Sequence, residues 1–396
     1  MRFFDDLSVS TFSAGFVAVL VGFTSSVAIV FQAALAFGAT PAQISSWMWA
    51  LGLGMGLCSM LPSWWLRKPV MVAWSTPGAA VLASAGLAGG FSMAEAVGAF
   101  MASAGLVTLF GITGWFEKVM NRIPLAIASA LLAGVLARFG MQAFMAAQTA
   151  LVLVLLMLAS YLLGHRLLPR YAVVLTLVVG ILYVALRGQF AGADLRLELA
   201  LPVFTMPQWS WAAFVSLAIP LFVVTMASQN LPGVAAIRAA GYGGRDGLPV
   251  SGIITLTGVA TLVLAPFGGF ALNLSAITAA ICMGPQAHPD PARRYTAAVS
   301  CGAIYVLIGV FGATFTGVLT AFPSELVAAI AGLALLGTIA NALAVAVQDD
   351  KHREAATITF LVTLSGVVIA GIGSAFWGVV AGAIALAVQQ YARPVR

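Results

Sequence analysis

Apolar runs long enough to cross a membrane alternate with short polar loops along the whole chain. The pattern predicts spans near residues 12–36, 44–65, 69–84, 94–116, 123–139, 142–163, 168–187, 210–236, 249–264, 266–284, 295–319, 324–346, 354–373 and 375–391. Two of these segments cannot be regular helices. One reads Pro69-Val-Met-Val-Ala-Trp-Ser-Thr-Pro-Gly-Ala-Ala-Val-Leu-Ala-Ser84. The other reads Ala265-Pro-Phe-Gly-Gly-Phe-Ala-Leu-Asn-Leu-Ser-Ala-Ile-Thr-Ala-Ala-Ile-Cys-Met-Gly284. Each opens extended, where Pro or Gly forbids a regular helix, and turns helical at a small polar residue. Broken hydrophobic segments at matching places in two halves point to a transporter's binding site.

Composition agrees. The chain has 396 residues, of which 62% are hydrophobic and only 8% charged, more apolar surface than a soluble fold of this size can hide. It is therefore expected to be an all-α polytopic membrane protein, and the opening Met1-Arg-Phe-Phe-Asp-Asp6 leads into a full span, not a cleavable signal. The net charge of +6 needs no nucleic acid to explain it. With the N-terminus in the cytoplasm, only Arg138, Arg187 and Arg196 of the 18 Lys and Arg fall outside, as the positive-inside rule requires. Fourteen segments with both termini cytoplasmic follow, and a seven-plus-seven division makes the second half an inverted copy of the first. The polar stretch from Arg187 to Pro207 is expected to be the external connector, partly strand or interfacial helix.

Several kinds of chemistry are absent from the pattern. Cys58, Cys282 and Cys301 have no CxxC spacing and read as small buried residues. No Walker motif exists, no His pair sits within a span, and Asp5-Asp6 and Asp349-Asp350 stand isolated. No cofactor or metal is expected, and the spans lack the ionisable groups an enzyme would need. Glu95, Glu117, Arg138 and Glu325 fall at predicted span ends, where capping or anchoring is the ordinary role. Gly52-Leu-Gly-Met-Gly56 lies inside a span and reads as close helix packing.

The candidate site lies in the broken segments. In Ser75-Thr76-Pro77-Gly78, Thr76 suits the N-cap and Pro77 the first helical position, which frees the N–H groups of Gly78 and Ala79 to point inward. In the second segment Asn273 or Ser275 caps. Two such helix starts facing each other near the midplane would bind an anion without Arg or Lys. A second cluster, Ala227-Ser-Gln-Asn-Leu-Pro-Gly233, puts three polar side chains inside a span. Pro232 is expected to break that helix, which favours a cavity-lining role for Gln229 or Asn230. The weaker run Thr24-Ser25-Ser26 either bonds back to its own helix or touches the ligand.

The strings Trp74-Ser-Thr-Pro-Gly-Ala80, Ala227-Ser-Gln-Asn-Leu-Pro-Gly233 and Phe267-Gly-Gly-Phe-Ala-Leu-Asn-Leu-Ser-Ala-Ile-Thr-Ala-Ala-Ile281 closely resemble BenE-type benzoate–proton symporters. Thr24-Ser-Ser-Val-Ala-Ile29 and Pro291-Ala-Arg-Arg-Tyr295 are similar too. The resemblance covers essentially the whole chain. It implies a bacterial inner-membrane importer of benzoate or a related aromatic carboxylate, coupled to protons. It also implies the uracil-permease fold, with a core (1–118 and 207–320) moving against a gate (119–206 and 321–396). On that basis the carboxylate would sit between the starts at Ser75-Thr76-Pro77-Gly78 and Asn273-Ser275. Gln229 and Asn230 would donate hydrogen bonds, Trp74, Phe270 and Leu272 would cover the ring, and Ser25 would lie beside it. Nucleobase-carrying relatives have acids on the eighth and tenth spans, whereas residues 207–241 and 265–284 here contain none. Their loss suits an anion, which carboxylates would repel. The proton is then carried by a peripheral Glu or by the substrate itself. A nucleobase or inorganic-anion carrier on the same fold, or a passive anion channel, are the competing functions; a homodimer is expected from the fold alone.

Overall fold

The computed structural model describes residues 3–24, 26–88, 90–116, 125–168, 172–189, 198–243, 247–285, 287–369 and 374–391. In chain order the elements are α1 (Val9–Thr24), α2 (Val27–Ala36), α3 (Pro41–Leu66), β1 (Val72–Trp74), α4 (Thr76–Leu87), α5 (Met93–Thr113), α6 (Leu125–Met145), α7 (Ala147–Leu167) and α8 (Ala172–Leu186). They continue with α9 (Trp211–Arg238), α10 (Val250–Leu264), β2 (Leu272–Leu274), α11 (Ile277–Met283), α12 (Tyr295–Val310), α13 (Gly312–Ala321), α14 (Ser324–Gln348), α15 (Arg353–Ser365) and α16 (Ser374–Tyr391). Among the described residues, eight helical segments are long and apolar enough to cross a membrane unaided, α1 and α2 counting as one.

The helices pack in two groups. In the first, α12 lies along α3 and α1, α5 against α10, α2 against α4, and α11 against α1; in the second, α6 packs on α14 and α15, α15 on α16, and α7 on α8. Glycines set the closest approach in the first group. A Cβ on Gly52 would lie 2.5 Å from the Gly309 Cα, and one on Gly56 would lie 2.6 Å from the Gly302 carbonyl oxygen, so the α3 and α12 backbones touch.

The two broken segments meet. β1 and β2 pair antiparallel, with Val72 opposite Leu274, Ala73 opposite Asn273 and Trp74 opposite Leu272. Beyond the strands the Ser75 N–H donates to the Ala271 carbonyl and the Ser275 N–H to the Met71 carbonyl, both at 3.0 Å. The crossing therefore has a local two-fold, with Ser75 matching Ser275 and Met71 matching Ala271. Extended backbone inside a membrane must have its polar groups satisfied by protein. Side chains do this at the outer edges. Ser63 and Ser59 accept from the Val70 and Val72 N–H groups (2.8 and 2.9 Å), while Thr261 and Asn230 accept from those of Leu272 and Leu274 (3.1 and 2.9 Å). Ala271 enters β2 with φ 40°, a left-handed conformation that costs a non-glycine residue about 1 kcal/mol or more.

Three local expectations change. Arg138 is not at a span end: α6 runs on to Met145 and carries it well inside the helix. Pro232 does not break α9, because π-helical turns over Phe214–Ala218 and Met226–Asn230 precede Pro220 and Pro232. A widened turn accommodates both the ring and the missing N–H. Residues 190–197 of the connector lie outside the described residues. Residues 198–210, which end it and lead into α9, form neither strand nor helix. They lie as an extended strap, with Ala200, Val203, Thr205 and Gln208 donating N–H bonds to Val310, Ser46, Pro266 and Ala94.

Candidate functional site

Where the strands cross, a cavity of about 480 Å³ opens between the two helical groups. That volume suits a small-molecule site, for which roughly 300–1,000 Å³ is usual. The first group contributes Gly22, Ser26, Trp74, Thr76, Pro77, Ser228, Gln229, Ser275, Thr278 and Tyr305; α6 contributes Ser129, Leu132 and Leu136; α14 contributes Leu335, Thr338, Asn341 and Val345. Among the described lining residues there is no Asp, Glu, His, Lys or Arg.

Two hydroxyls build the start of α4. Ser75, not Thr76, is the N-cap: its Oγ accepts from the Gly78 N–H at 3.0 Å, and Thr76 and Pro77 occupy the first helical turn. The shift by one residue arises because Thr76 is already helical, which leaves Ser75 (φ −79°, ψ 98°) as the last extended residue before the helix. The Thr225 hydroxyl on α9 donates to the same oxygen (3.0 Å), tying the cap to the neighbouring helix. The Gly78 and Ala79 N–H groups are consequently engaged, by Ser75 Oγ and the Ser75 carbonyl. At the second segment Ser275 Oγ accepts from the Thr278 N–H (3.3 Å) and from its hydroxyl (2.7 Å), in the place equivalent to Ser75.

The expected residues divide. Trp74, Thr76, Pro77, Gln229 and Ser275 line the cavity. The Trp74 ring stands 5.6 Å from Phe23, and its Nε1–H donates to Ser26 Oγ at 2.7 Å. Ser75 and Gly78 lie behind the surface as the cap and its partner. Asn230 also faces away from the cavity. It is fully buried, its Oδ1 holds the Leu274 N–H, and its Nδ2 contacts Met226 Sδ at 3.1 Å. Phe270 packs with Trp47 and Phe100 in an aromatic cluster, and Leu272 is sealed against Gly54. Asn273 is fully buried, with Nδ2 on the Ala271 carbonyl and Oδ1 without a partner. Both faces of β2 and the residues leading into it are packed against protein, which buries all three. Ser25 lies outside the described residues. Reading the sequence did not single out Ser129, Thr338, Asn341 or Tyr305; isolated polar residues in apolar helices carry no local signal of which neighbour they face.

Two supports lie outside the lining. Arg294 is buried and donates to the carbonyls of Met283 (2.9 Å), His288 (2.8 Å) and Pro289 (3.2 Å), which fixes the far end of α11. Arg138 on α6 reaches across to α4, donating to Ser84 Oγ at 2.8 Å beside Gly366, and so joins the two helical groups.

A family model described as benzoate membrane transport protein, BenE, matches residues 5–388. The chain belongs to this benzoate membrane transport family. It is therefore a membrane transport protein and not an enzyme. It is 47% identical over 377 residues to the inner membrane protein YdcO of Escherichia coli (strain K12), covering 95% of each chain. It is 39% identical over 372 residues to the benzoate membrane transport protein of Acinetobacter baylyi, covering 94% of this chain and 93% of that one. The transmembrane domain of a cyanobacterium bicarbonate transporter, BicA, shares the fold at a TM-score of 0.60 and 14% identity, over 97% of this chain and 96% of that chain.

Proposed function

We propose that this member of the family imports benzoate or a related aromatic carboxylate across the bacterial inner membrane together with a proton. The observation that carries the proposal is the cavity at the strand crossing: apolar walls wide enough for one ring, with Gln229, Thr76 and the start of α4 at its polar end. The carboxyl group is placed there and the ring against Trp74, Leu132 and Leu136. Because no titratable carboxylate lines the cavity among the described residues, the substrate's own carboxyl group is taken as the proton carrier. Transport proceeds by alternating access of a core (residues 1–118 and 207–320) against a gate (119–206 and 321–396), in fourteen segments arranged as an inverted seven-plus-seven repeat with cytoplasmic termini. The conformation here is taken as open inward, with Asn341 exposed at the cavity rim and the Arg138–Ser84 bond closing the outer side.

Radiolabelled uptake into proteoliposomes tests this. Saturable benzoate accumulation that collapses when an inward proton gradient is dissipated is the expected outcome. Flux indifferent to the gradient would instead indicate a channel, and preference for a nucleobase or bicarbonate would overturn the substrate.

The two neighbours on α9 separate binding from folding. The Gln229 amide makes no hydrogen bond to any described group and faces the cavity. Gln229→Ala is expected to weaken benzoate binding with an unchanged melting temperature, one hydrogen bond to a charged group being worth about 1.5–3 kcal/mol. Asn230→Ala is expected to lower the melting temperature, because it strands the buried Leu274 N–H at a cost of about 1–3 kcal/mol. Isothermal titration and thermal melts of both variants in detergent distinguish these effects.

A further inference from the structure

Tyr305 on α12 is 2% exposed, one of the most completely buried large side chains in the protein. A phenol so buried ordinarily spends its hydroxyl on a protein partner. This one hydrogen-bonds to no described residue, yet its oxygen is not among the sealed, partnerless atoms, and the side chain lines the cavity. The hydroxyl is thus the part of Tyr305 that the cavity reaches. Its position is kept clear by Gly22, where a Cβ would stand 2.7 Å from the phenolic oxygen and 3.0 Å from Thr278 Cγ2. The oxygen therefore sits beside the Ser275–Thr278 turn, with no competing protein bond.

We propose that the Tyr305 hydroxyl is a direct binding group for the substrate's carboxyl group. The inference rests on the aromatic-carboxylate reading and adds a residue to it. A phenol suits this task for a specific reason. It donates to an ionised carboxylate and accepts from a protonated one, so it stays engaged whichever form enters the cavity, whereas a fixed cation would hold only the anion. Gly22 then serves as a positioning residue, leaving room for the hydroxyl.

The test is Tyr305→Phe, which removes one oxygen and keeps the ring. Benzoate affinity of purified wild type and variant is measured by isothermal titration, alongside the melting temperature of each without ligand. Wild type must bind benzoate; if it does not, the proposed function fails and not this assignment. Given wild-type binding, the variant is expected to bind benzoate about ten- to a hundredfold more weakly, with the ligand-free melting temperature unchanged because no protein bond is lost. Unchanged affinity would overturn the assignment, as would an affinity loss accompanied by a lowered ligand-free melting temperature, which marks a structural hydroxyl. Gly22→Ala adds an independent arm. It is expected to weaken binding in the wild-type background and to cost far less on top of Tyr305→Phe, since both act on one oxygen; fully additive losses would separate Gly22 from the hydroxyl and overturn its role.

Discussion

Gln229→Glu is expected to abolish benzoate uptake at neutral pH. The substitution keeps the length and shape of a side chain that already faces the cavity, and replaces its donating amide with a carboxylate. For substrate that enters as the anion, before it takes up its proton, repulsion at about 5 Å and an effective dielectric of about 20 amounts to about 3 kcal/mol, or roughly a hundredfold in affinity, beyond the lost hydrogen bond. The defect has a definite pH signature. The bound anion raises the pKa of the introduced carboxyl group, so lowering the pH protonates that group and restores a donor; uptake recovers as pH falls. Gln229→Ala has no such group, and its milder defect should not respond to pH in this way. Proteoliposome uptake by the two variants across a pH series checks both points. Wild-type uptake by Gln229→Glu at neutral pH would remove the substrate's carboxyl group from this end of the cavity.

Gly52→Val is expected to be the most damaging substitution outside the cavity. A Cβ there would meet Gly309 Cα at 2.5 Å, Gly309 N at 2.7 Å and the Tyr305 carbonyl at 2.8 Å, all backbone atoms that no rotamer change can move. The α3–α12 crossing would have to open, a rearrangement whose cost lies at or above the upper end of the roughly 1–3 kcal/mol typical of overpacking. Since α12 carries Tyr305, the cavity wall would shift with it. Size-exclusion profiles and melting temperatures in detergent should show loss of folded protein. Gly105→Ala on α5 is the control. Nothing lies within 4 Å of its added Cβ, so it should melt at or slightly above the wild-type temperature, alanine being the better helix former by about 1 kcal/mol.

Much of this molecule is written in local sequence. Long apolar runs declare the membrane, because hydrocarbon accepts backbone only when helical hydrogen bonds satisfy it. Pro69, Pro266 and the Gly268-Gly269 pair declare where helices cannot run, and β1 and β2 lie in those segments. Small residues at Gly52 and Gly56 declare a close crossing, and α3 meets α12 there. Each of these follows from what a residue does to its own backbone or to whatever packs against it.

Orientation was decided by the tertiary structure alone. Gln229 and Asn230 are adjacent and chemically alike, but successive residues of a helical turn point in different directions, so one faces the cavity and the other holds β2. Phe270, Leu272 and Asn273 belong to the broken segment that forms the crossing, yet that segment is packed on both faces and buries them in protein. Thr76 yielded the cap to Ser75 because the extended segment ends one residue sooner than expected and the helix already begins at Thr76. Ser129, Thr338, Asn341 and Tyr305 come from helices whose own sequences mark no site, and only the packing of α6, α12 and α14 around one cavity assembles them. Apolar length and backbone restriction are properties of a segment, whereas the direction a side chain faces depends on its remote partners.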